Sequence, residues 1–211
     1  MPYYGSFNTI KKILNEIEWK KENKSLVWQQ IVKNKIHNQA MLLKKINIEG
    51  YDRLLNYEEQ VEIDDKTNRE GHAAKVYFNL LFGNKFIRGE DNNINAALDY
   101  GYSILLSAIN REVACKGYIT QIGINHKNEF NQFNLSCDLI EPFRPLIDEI
   151  VYENRSNEFN KEFKYKLINV LNDKITIDGK EQYVSNAIAI FIQSVFNTLE
   201  NMESKILNYE I

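Results

Sequence analysis

The sequence has few of the residues that interrupt or cross-link a chain. Its 211 residues include nine glycines, three prolines and two cysteines. So few glycines and prolines favour long helices over many tight turns. The two cysteines, Cys115 and Cys137, make neither a disulfide framework nor a zinc motif. Their apolar neighbours predict core thiols of a cytoplasmic protein.

Long apolar runs and a strong net charge are also missing. No run of eighteen apolar residues exists, and the first residues lack the charged-then-apolar order of a signal peptide. We therefore expect a cytoplasmic protein with no membrane partner. Hydrophobic residues make up 44% and charged ones 26%, with a net charge of −3. These values are typical of a globular protein, and the absence of repeats and long linkers predicts a single domain over residues 1–211.

Charge is unevenly distributed along the chain. Residues 1–50 hold nine Lys/Arg against four Asp/Glu, whereas residues 51–150 hold ten against sixteen. In the second predicted helix, lysines occupy positions outside the apolar stripe. They fit a solvated helix face and a phosphate-contacting surface about equally well. These lysines are Lys33, Lys35, Lys44 and Lys45.

Hydrophobic periodicity predicts an all-α domain of several helices with one small β-hairpin. The helix 96–115 is apolar on nearly every side, which predicts that it is the central, buried helix. An Asp178-Gly179 dipeptide between alternating residues predicts the hairpin, near residues 175–184. Thr67 or Asn68 can cap the helix that carries Glu70 in its first turn. The other predicted helices cover about 7–22, 26–48, 53–61, 146–152, 159–171 and 184–207.

The stretch 123–145 concentrates side chains that could carry chemistry. Glycine and asparagine at its start place His126 on a connection, where it could be a surface residue, a core histidine or a metal ligand. Asp138 and Glu141 are three residues apart on a predicted helix, so they would share a face and could reach one cation or one substrate group together. That spacing is common on solvated helices, but apolar neighbours imply a packed helix on which acids need a partner.

Glu70 adds a third candidate, although a glutamate in the first turn of a helix can also be only structural. One histidine with two or three carboxylates suits Mg²⁺ or Mn²⁺, and the imidazole shifts the preference towards Mn²⁺.

Three segments carry a family resemblance. They read WQQIVKNKIHNQA (28–40), NREGHAAKVYF (68–78) and LDYGYSILL…IEPFRP (98–145). In order and spacing they resemble the carboxy-terminal helical domain of the CRISPR-associated integrase family, Cas one, in its type II form. The resemblance covers nearly the whole chain. It implies a metal-dependent DNA endonuclease and integrase that inserts spacers by phosphodiester transesterification, and that hydrolyses DNA when water is the nucleophile.

The same resemblance implies the site residues. The family binds a divalent metal, Mg²⁺ or Mn²⁺, through a glutamate in an EGxAAxxYF-like segment, a histidine in a GxxH segment and an acid before PFRP. Carried over, these are Glu70, His126 and Glu141. Asp138, one turn before Glu141, matches an acid that some members use, and it ranks below the other three.

The resemblance also implies partners. These are DNA, as protospacer and CRISPR repeat, a second copy in a homodimer, and the small protein Cas two. The lysines between residues 11 and 45 are candidates for DNA backbone contacts, and so is Arg144, which could instead form an internal ion pair. Nothing in the sequence matches the family's β-rich amino-terminal domain, so we expect an isolated helical domain whose dimerisation and integration are impaired, or an inactive one. The rival interpretation is a non-catalytic helical module that binds DNA or a protein.

Overall fold

The computed structural model describes residues 9–201 and 205–210, and within them the fold is mainly helical, as predicted. The helices are α1 (Thr9–Ile17), α2 (Lys21–Lys45), α3 (Tyr51–Glu59), α4 (Arg69–Phe82), α5 (Asn93–Cys115), α6 (Asn134–Leu139), α7 (Arg144–Glu153), α8 (Lys161–Asn169) and α9 (Val184–Asn201). The strands are β1 (Lys174–Ile177), β2 (Lys180–Tyr183) and β3 (Tyr209–Glu210). None of the helices in these ranges is long and apolar enough to cross a membrane.

The central helix is α2, which packs against α3, α4, α7 and α9. Twelve of its residues are buried, including several polar ones. The prediction that the helix 96–115 is the central one is wrong. Helix α5 buries one face against α7, α8 and α9, while Ser103, Ser107 and Arg111 on the opposite face are exposed. Its apolar residues Ile104 and Leu106 are therefore only half-buried.

The first and last helices both stop before the residue that their periodicity predicts. Helix α1 ends at Ile17, because Trp19 turns into the core beside Tyr118 and Phe196, with ring centroids 5.8 and 5.9 Å away. The predicted start at residue 7 lies outside the described residues. Helix α9 is described as far as Asn201, and residues 205–207 are not helical, so its predicted extension to residue 207 is wrong and Ile206 is a buried residue of a non-helical segment.

The predicted hairpin is confirmed and belongs to a sheet of three strands in the order β2-β1-β3. Ile177 pairs with Lys180 on one side and with Tyr209 on the other, both antiparallel. Asp178 and Gly179 have φ of 53° and 68°, the positive values that a two-residue type I′ turn requires. Strand β3 is only two residues long and carries no alternation that could have predicted it.

The two cysteines are free thiols, as predicted, but neither lies in the buried core. Cys115, at the last position of α5, is exposed, and Cys137 is half-buried. The prediction of core thiols is therefore wrong, most clearly for Cys115, which lies on the solvent face of its helix.

Candidate active site

Glu70 is held at the start of α4 by two preceding side chains. Asn68 is the N-cap residue, as predicted, and its side chain accepts a hydrogen bond from the backbone N–H of Gly71 at 3.3 Å. The carboxylate of Asp65 accepts from the backbone N–H groups of Arg69 and Glu70, at 2.8 and 3.0 Å. These contacts satisfy donors that a helix start leaves free. They fix the first turn and therefore the position from which Glu70 projects.

Glu141 lies in a short 3-10 turn, Glu141–Phe143, that follows α6, and it is only 5% exposed. Arg144 donates to both of its carboxylate oxygens, at 3.0 and 2.9 Å. Burial opposes ionisation of this carboxyl, but the charges of Lys35 and Arg144 outweigh it and lower the pKa of Glu141 to about 2. The predicted ion pair of Arg144 is therefore present. Glu141 stays ionised at neutral pH despite its burial.

The ammonium of Lys35 on α2 joins the two glutamates. Its Nζ lies 2.6 Å from Oε1 of Glu70 and 2.5 Å from Oε2 of Glu141. The two oxygens can therefore be no more than about 5 Å apart. Burial favours the neutral amine, yet the charges of Glu141 and Glu70 raise the pKa of Lys35 above its ordinary value. Lys35 was predicted to lie outside the apolar stripe of its helix, and that prediction is wrong.

The carboxylate of Asp138 contacts different groups from the carboxylate of Glu141. Its buried carboxylate accepts hydrogen bonds from the backbone N–H groups of Ile124, Asn125 and His126, at 2.6, 3.0 and 3.2 Å. Helix α6 ends at Leu139, and Glu141 lies in the 3-10 turn that follows it, so the two acids are not on one α-helix. Asp138 is used to fold the loop that carries His126, and that the two acids reach one cation or one substrate group together stays a prediction.

Gly123 allows that loop to wrap around Asp138. A Cβ built on Gly123 would collide with the carbonyl oxygen of His126 and lie 2.9 Å from Oδ2 of Asp138. A residue with a side chain does not fit here without moving the loop. The GxxH spacing thus has a physical reason, which is the close approach of two backbone segments.

His126 lies on the connection between α5 and α6, as predicted, and its side chain is 42% exposed. Its Nδ1 is 2.6 Å from Oδ1 of Asp138, and its ring meets that of Trp28 edge-on at 6.1 Å. The hydrogen bond with Asp138 raises the pKa of His126, burial opposes this, and the charges of Asp138, Glu141 and Glu70 add to the rise. A carboxylate on Nδ1 leaves Nε2 as the nitrogen available to a ligand.

A buried polar network supports the site from behind. The guanidinium of Arg144 lies over the ring of Tyr102, 4.5 Å from its centroid. The hydroxyl groups of Tyr102 and Tyr77 both donate to the carboxylate of Asp148, Tyr77 at 2.8 Å. Burial raises the pKa of Asp148 to about 6, although these hydrogen bonds and the nearby arginines oppose the rise. This network fixes Arg144 and, through it, Glu141.

The donors are of the right chemical type for a divalent cation. Two carboxylates meet within about 5 Å, and a carboxylate-oriented imidazole lies close enough for both to act on its pKa. In residues 9–201 and 205–210, however, no group of three His, Cys, Asp or Glu side chains is close enough to share an ion. The residues therefore have the chemical groups that a divalent metal needs. In this structure the cation between the two glutamates is the ammonium of Lys35.

Of these positions, Lys35 carries a signal in the sequence and Asp138 carries none. Lys35 follows Ile31 by four residues and Val32 by three, and so it lies within the buried stripe of α2. A lysine at such a position needs a buried anion. Asp138 was recognised only as a possible ligand, since nothing local to it indicates that it binds a loop twelve residues earlier.

Comparison with known proteins decides the family. A family model described as "CRISPR associated protein Cas1" matches residues 6–183. The chain belongs to the Cas1 family. The CRISPR-associated endonuclease Cas1 of Neisseria meningitidis serogroup C (strain 8013) is 36% identical over 196 residues, 90% of this chain and 64% of the relative. A Cas1 endonuclease of Francisella tularensis subsp. novicida (strain U112) is 25% identical over 205 residues, 86% of this chain and 64% of the relative. The chain thus spans 64% of the length of both curated relatives.

Solved structures share the Cas1 fold at low sequence identity. A CAS1 protein from Thermotoga maritima superposes with a TM-score of 0.77 at 18% identity, covering 92% of this chain and 71% of that one. A casposase bound to its integration product gives 0.77 at 20% identity, covering 96% and 72%. A Cas6-RT-Cas1–Cas2 complex gives 0.75 at 20% identity, covering 95% and 27%. The resemblance to the Cas1 family that the sequence motifs predicted is thus confirmed.

Proposed function

We propose that this Cas1 chain is the helical catalytic domain of a DNA endonuclease and integrase of the type II form, which acts in CRISPR spacer acquisition. Glu70, His126 and Glu141 bind Mg²⁺ or Mn²⁺ and form its active site. The observation that carries this proposal is the meeting of Glu70 and Glu141 on one cation, beside an imidazole oriented by a buried aspartate. The names of the curated relatives support the endonuclease activity, and the casposase neighbour supports integration.

A divalent ion at this site would supply Lewis-acid stabilisation of negative charge on the phosphate under attack. The chain contributes an ionised Glu141, a glutamate at a fixed helix start and an imidazole with Nε2 free. Lys35 must leave its position between the carboxylates for a metal to enter, because two cations cannot share it. Arg144 then remains on Glu141 and keeps that carboxylate in place.

The reaction is a phosphodiester exchange. The 3′-hydroxyl of an incoming protospacer forms a new P–O bond in the CRISPR repeat while one P–O bond of the repeat strand breaks. The number of phosphodiester bonds is unchanged, and the proton of the attacking hydroxyl ends on the leaving oxygen. With water as the nucleophile the reaction is hydrolysis, in which one P–O bond also forms and one breaks, but the phosphodiester becomes a phosphomonoester and a free hydroxyl. We propose a second copy of the chain and Cas2 as partners, and the Cas1–Cas2 complexes among the structural neighbours support the latter.

Metal binding and DNA cleavage test the proposal together. In calorimetry with Mn²⁺, Glu70→Gln should bind at least tenfold more weakly than the parent, because it removes one anionic ligand. The control Glu62→Gln changes an exposed acid and should bind as the parent does. Cleavage of branched DNA should require Mn²⁺ or Mg²⁺ and should be lost in His126→Ala. Equal Mn²⁺ affinity in Glu70→Gln and the parent, or cleavage that persists in chelator, contradicts the proposal.

A second candidate function is a non-catalytic helical module that binds DNA or a protein. Lys35 favours it, because this lysine satisfies both carboxylates without a metal. The expected result for such a module is binding of branched DNA with the same affinity in chelator and in Mn²⁺, and no cleavage in either. Metal-dependent cleavage by the parent would exclude it.

A further inference from the structure

Arg144 lies between two buried carboxylates in the sequence. Glu141 precedes it by three residues, and Asp148 follows it by four on α7. An arginine and an aspartate four residues apart on a helix are neighbours on its surface and commonly pair. Within the described ranges, however, Arg144 forms an ion pair with Glu141 and none with Asp148. The charge of Arg144 still reaches Asp148, because it opposes the rise that burial causes in the pKa of that carboxyl. The structure thus selects Glu141 over Asp148 as the partner of Arg144.

Both oxygens of Asp148 are occupied by tyrosines. Tyr77 from α4 donates to Oδ2 at 2.8 Å, and Tyr102 from α5 donates to Oδ1. Burial, together with the charge of Asp148, raises the pKa of both hydroxyls well above its usual value of 10, so they remain donors at neutral pH. A buried carboxylate is costly unless its oxygens accept hydrogen bonds. Here two neutral donors satisfy it, so it does not need a guanidinium.

The ring of Tyr102 also contacts the arginine that Asp148 would otherwise attract. The guanidinium carbon of Arg144 lies 4.5 Å from the ring centroid. A second guanidinium, that of Arg88, lies 5.4 Å from the same centroid and is paired with Asp99 at 2.5 Å. Because Arg88 already has an anion, Arg144 is the cation that would move to Asp148 if a tyrosine hydroxyl were removed.

We propose that two tyrosines, Tyr77 and Tyr102, are positioning residues of the active site. By occupying Asp148, they leave Arg144 to hold Glu141. An oxygen of Asp148 that lost its tyrosine would take the guanidinium, because a buried anion needs a donor. Glu141 would then lose both of the hydrogen bonds that Arg144 gives it. The inference rests on the proposed function, since it names what keeps a ligand of that site in place.

Crystal structures without metal test the choice that Arg144 makes. Tyr102→Phe keeps the ring beside the guanidinium and removes one donor to Asp148. We expect Arg144 to donate to the freed oxygen and to lose its two contacts with Glu141. Tyr77→Phe frees the other oxygen and should have the same effect. In the double variant Tyr102→Phe/Asp148→Asn the competing charge is gone, so Arg144 should again contact Glu141.

Calorimetry with Mn²⁺ gives a second readout. Tyr102→Phe should bind the ion about tenfold more weakly than the parent, because Glu141 has lost the group that orients it. The double variant Tyr102→Phe/Asp148→Asn should recover the affinity of the parent. A role in stability alone predicts the opposite, since a second buried substitution adds to the damage. The matched control is Tyr118→Phe, which removes another buried tyrosine hydroxyl that donates to a carboxylate, that of Glu200, and should bind as the parent does.

Two results would overturn the positioning role. One is an Arg144 that keeps both contacts with Glu141 in Tyr102→Phe, and the other is a double variant that binds Mn²⁺ no better than Tyr102→Phe while the parent binds it tightly. The two proposals fail separately. If the parent does not bind Mn²⁺, the catalytic proposal falls, but a guanidinium that moves to Asp148 in Tyr102→Phe and returns in the double variant still supports the role of the tyrosines. An unmoved Arg144 with Mn²⁺ binding by the parent removes only that role.

Discussion

At the scale of single residues, Lys35 takes the position that a small cation would have between Glu70 and Glu141. Its ammonium contacts one oxygen of each glutamate while its side chain is only 10% exposed. Two carboxylates this close repel each other unless a cation lies between them. In this structure Lys35 is that cation, and it holds the two carboxylates close together.

Replacing Lys35 should lower the stability of the protein and raise its affinity for Mn²⁺. In Lys35→Met we expect a loss of about 2–3 kcal/mol in the free energy of unfolding without metal, because a buried ion pair is broken while Arg144 still pairs with Glu141. We expect Mn²⁺ to bind at least tenfold more tightly, since no ammonium competes with it. Calorimetry and thermal unfolding with and without Mn²⁺ measure the two effects, with Lys33→Met as the control on the same helix.

Unchanged or weaker Mn²⁺ affinity in Lys35→Met would show that the lysine does not compete with the ion. The parent protein offers a second measurement that is independent of this variant. If Mn²⁺ releases the ammonium, acetylation of Lys35 by a water-soluble reagent should increase when Mn²⁺ is added, while acetylation of the exposed Lys161 should not.

At the scale of helices and turns, the sequence predicted the features that depend on only a few adjacent residues. The cap at Asn68 and the turn at Asp178-Gly179 were predictable, because capping side chains and positive φ are properties of a few adjacent residues. That Asp138 and Glu141 contact different groups could not be predicted in this way. Helix α6 has six residues and no side-chain cap, and its end depends on the loop at 123–126 that folds around Asp138. The motif spacing indicated the candidate site residues, but not which of their side chains contact one another.

The docking of α1 should make stability depend on pH. Glu16 is buried, and one of its carboxylate oxygens accepts from the backbone N–H of Ile119 at 2.9 Å. Burial raises its pKa from 4.5 to about 7, against the opposing effects of that hydrogen bond and of Lys24. The folded protein therefore holds a proton that the unfolded chain releases. The contribution of Glu16 is fully present below pH 4.5 and is lost as the pH rises from 4.5 to about 7.

Glu16→Gln should remove that dependence, because the amide oxygen can still accept from Ile119 without a charge. We expect the variant to be more stable than the parent above pH 7, by about 2 kcal/mol, and equally stable near pH 4. Chemical unfolding across this range, plotted as the difference between variant and parent, isolates Glu16 from other titrating groups such as Asp148. The control is Glu18→Gln, an exposed acid on the adjacent turn, for which the difference should be flat. A flat difference for Glu16→Gln as well would contradict the assignment.

At the scale of the whole molecule, the carboxy-terminal segment closes the fold beside the site. Asn38 of α2 is fully buried, and its amide donates to the carbonyl oxygen of Pro142 and to Asn208, at 2.9 and 3.0 Å. Asn208 donates back to Asn38 at 2.8 Å. Tyr209 stacks on Phe143, with ring centroids 5.3 Å apart. Residues about 170 positions apart thus meet next to Glu141, a contact that no local pattern could predict.

Because one continuous core joins these segments, we propose that the chain unfolds as one domain. Asn208→Ala tests this idea, since it leaves the buried side chain of Asn38 without one of its partners. The free energy of unfolding should fall by about 1–3 kcal/mol. Both tryptophans, Trp19 and Trp28, lie near the amino-terminal end, so their fluorescence reports on the part of the chain that is farthest in sequence from the substitution.

If the molecule is one cooperative unit, the fluorescence transition should shift to lower denaturant by the same amount as the loss of helical circular dichroism. The control Asn186→Ala replaces an exposed asparagine on α9. Its fluorescence and circular-dichroism midpoints should differ from those of the parent by no more than a surface substitution usually causes. A shift in circular dichroism alone would mean that the carboxy-terminal part unfolds separately. In that case Asn208 would stabilise a local substructure, and the position of Glu141 would depend on α2 and Arg144 rather than on the fold as a whole.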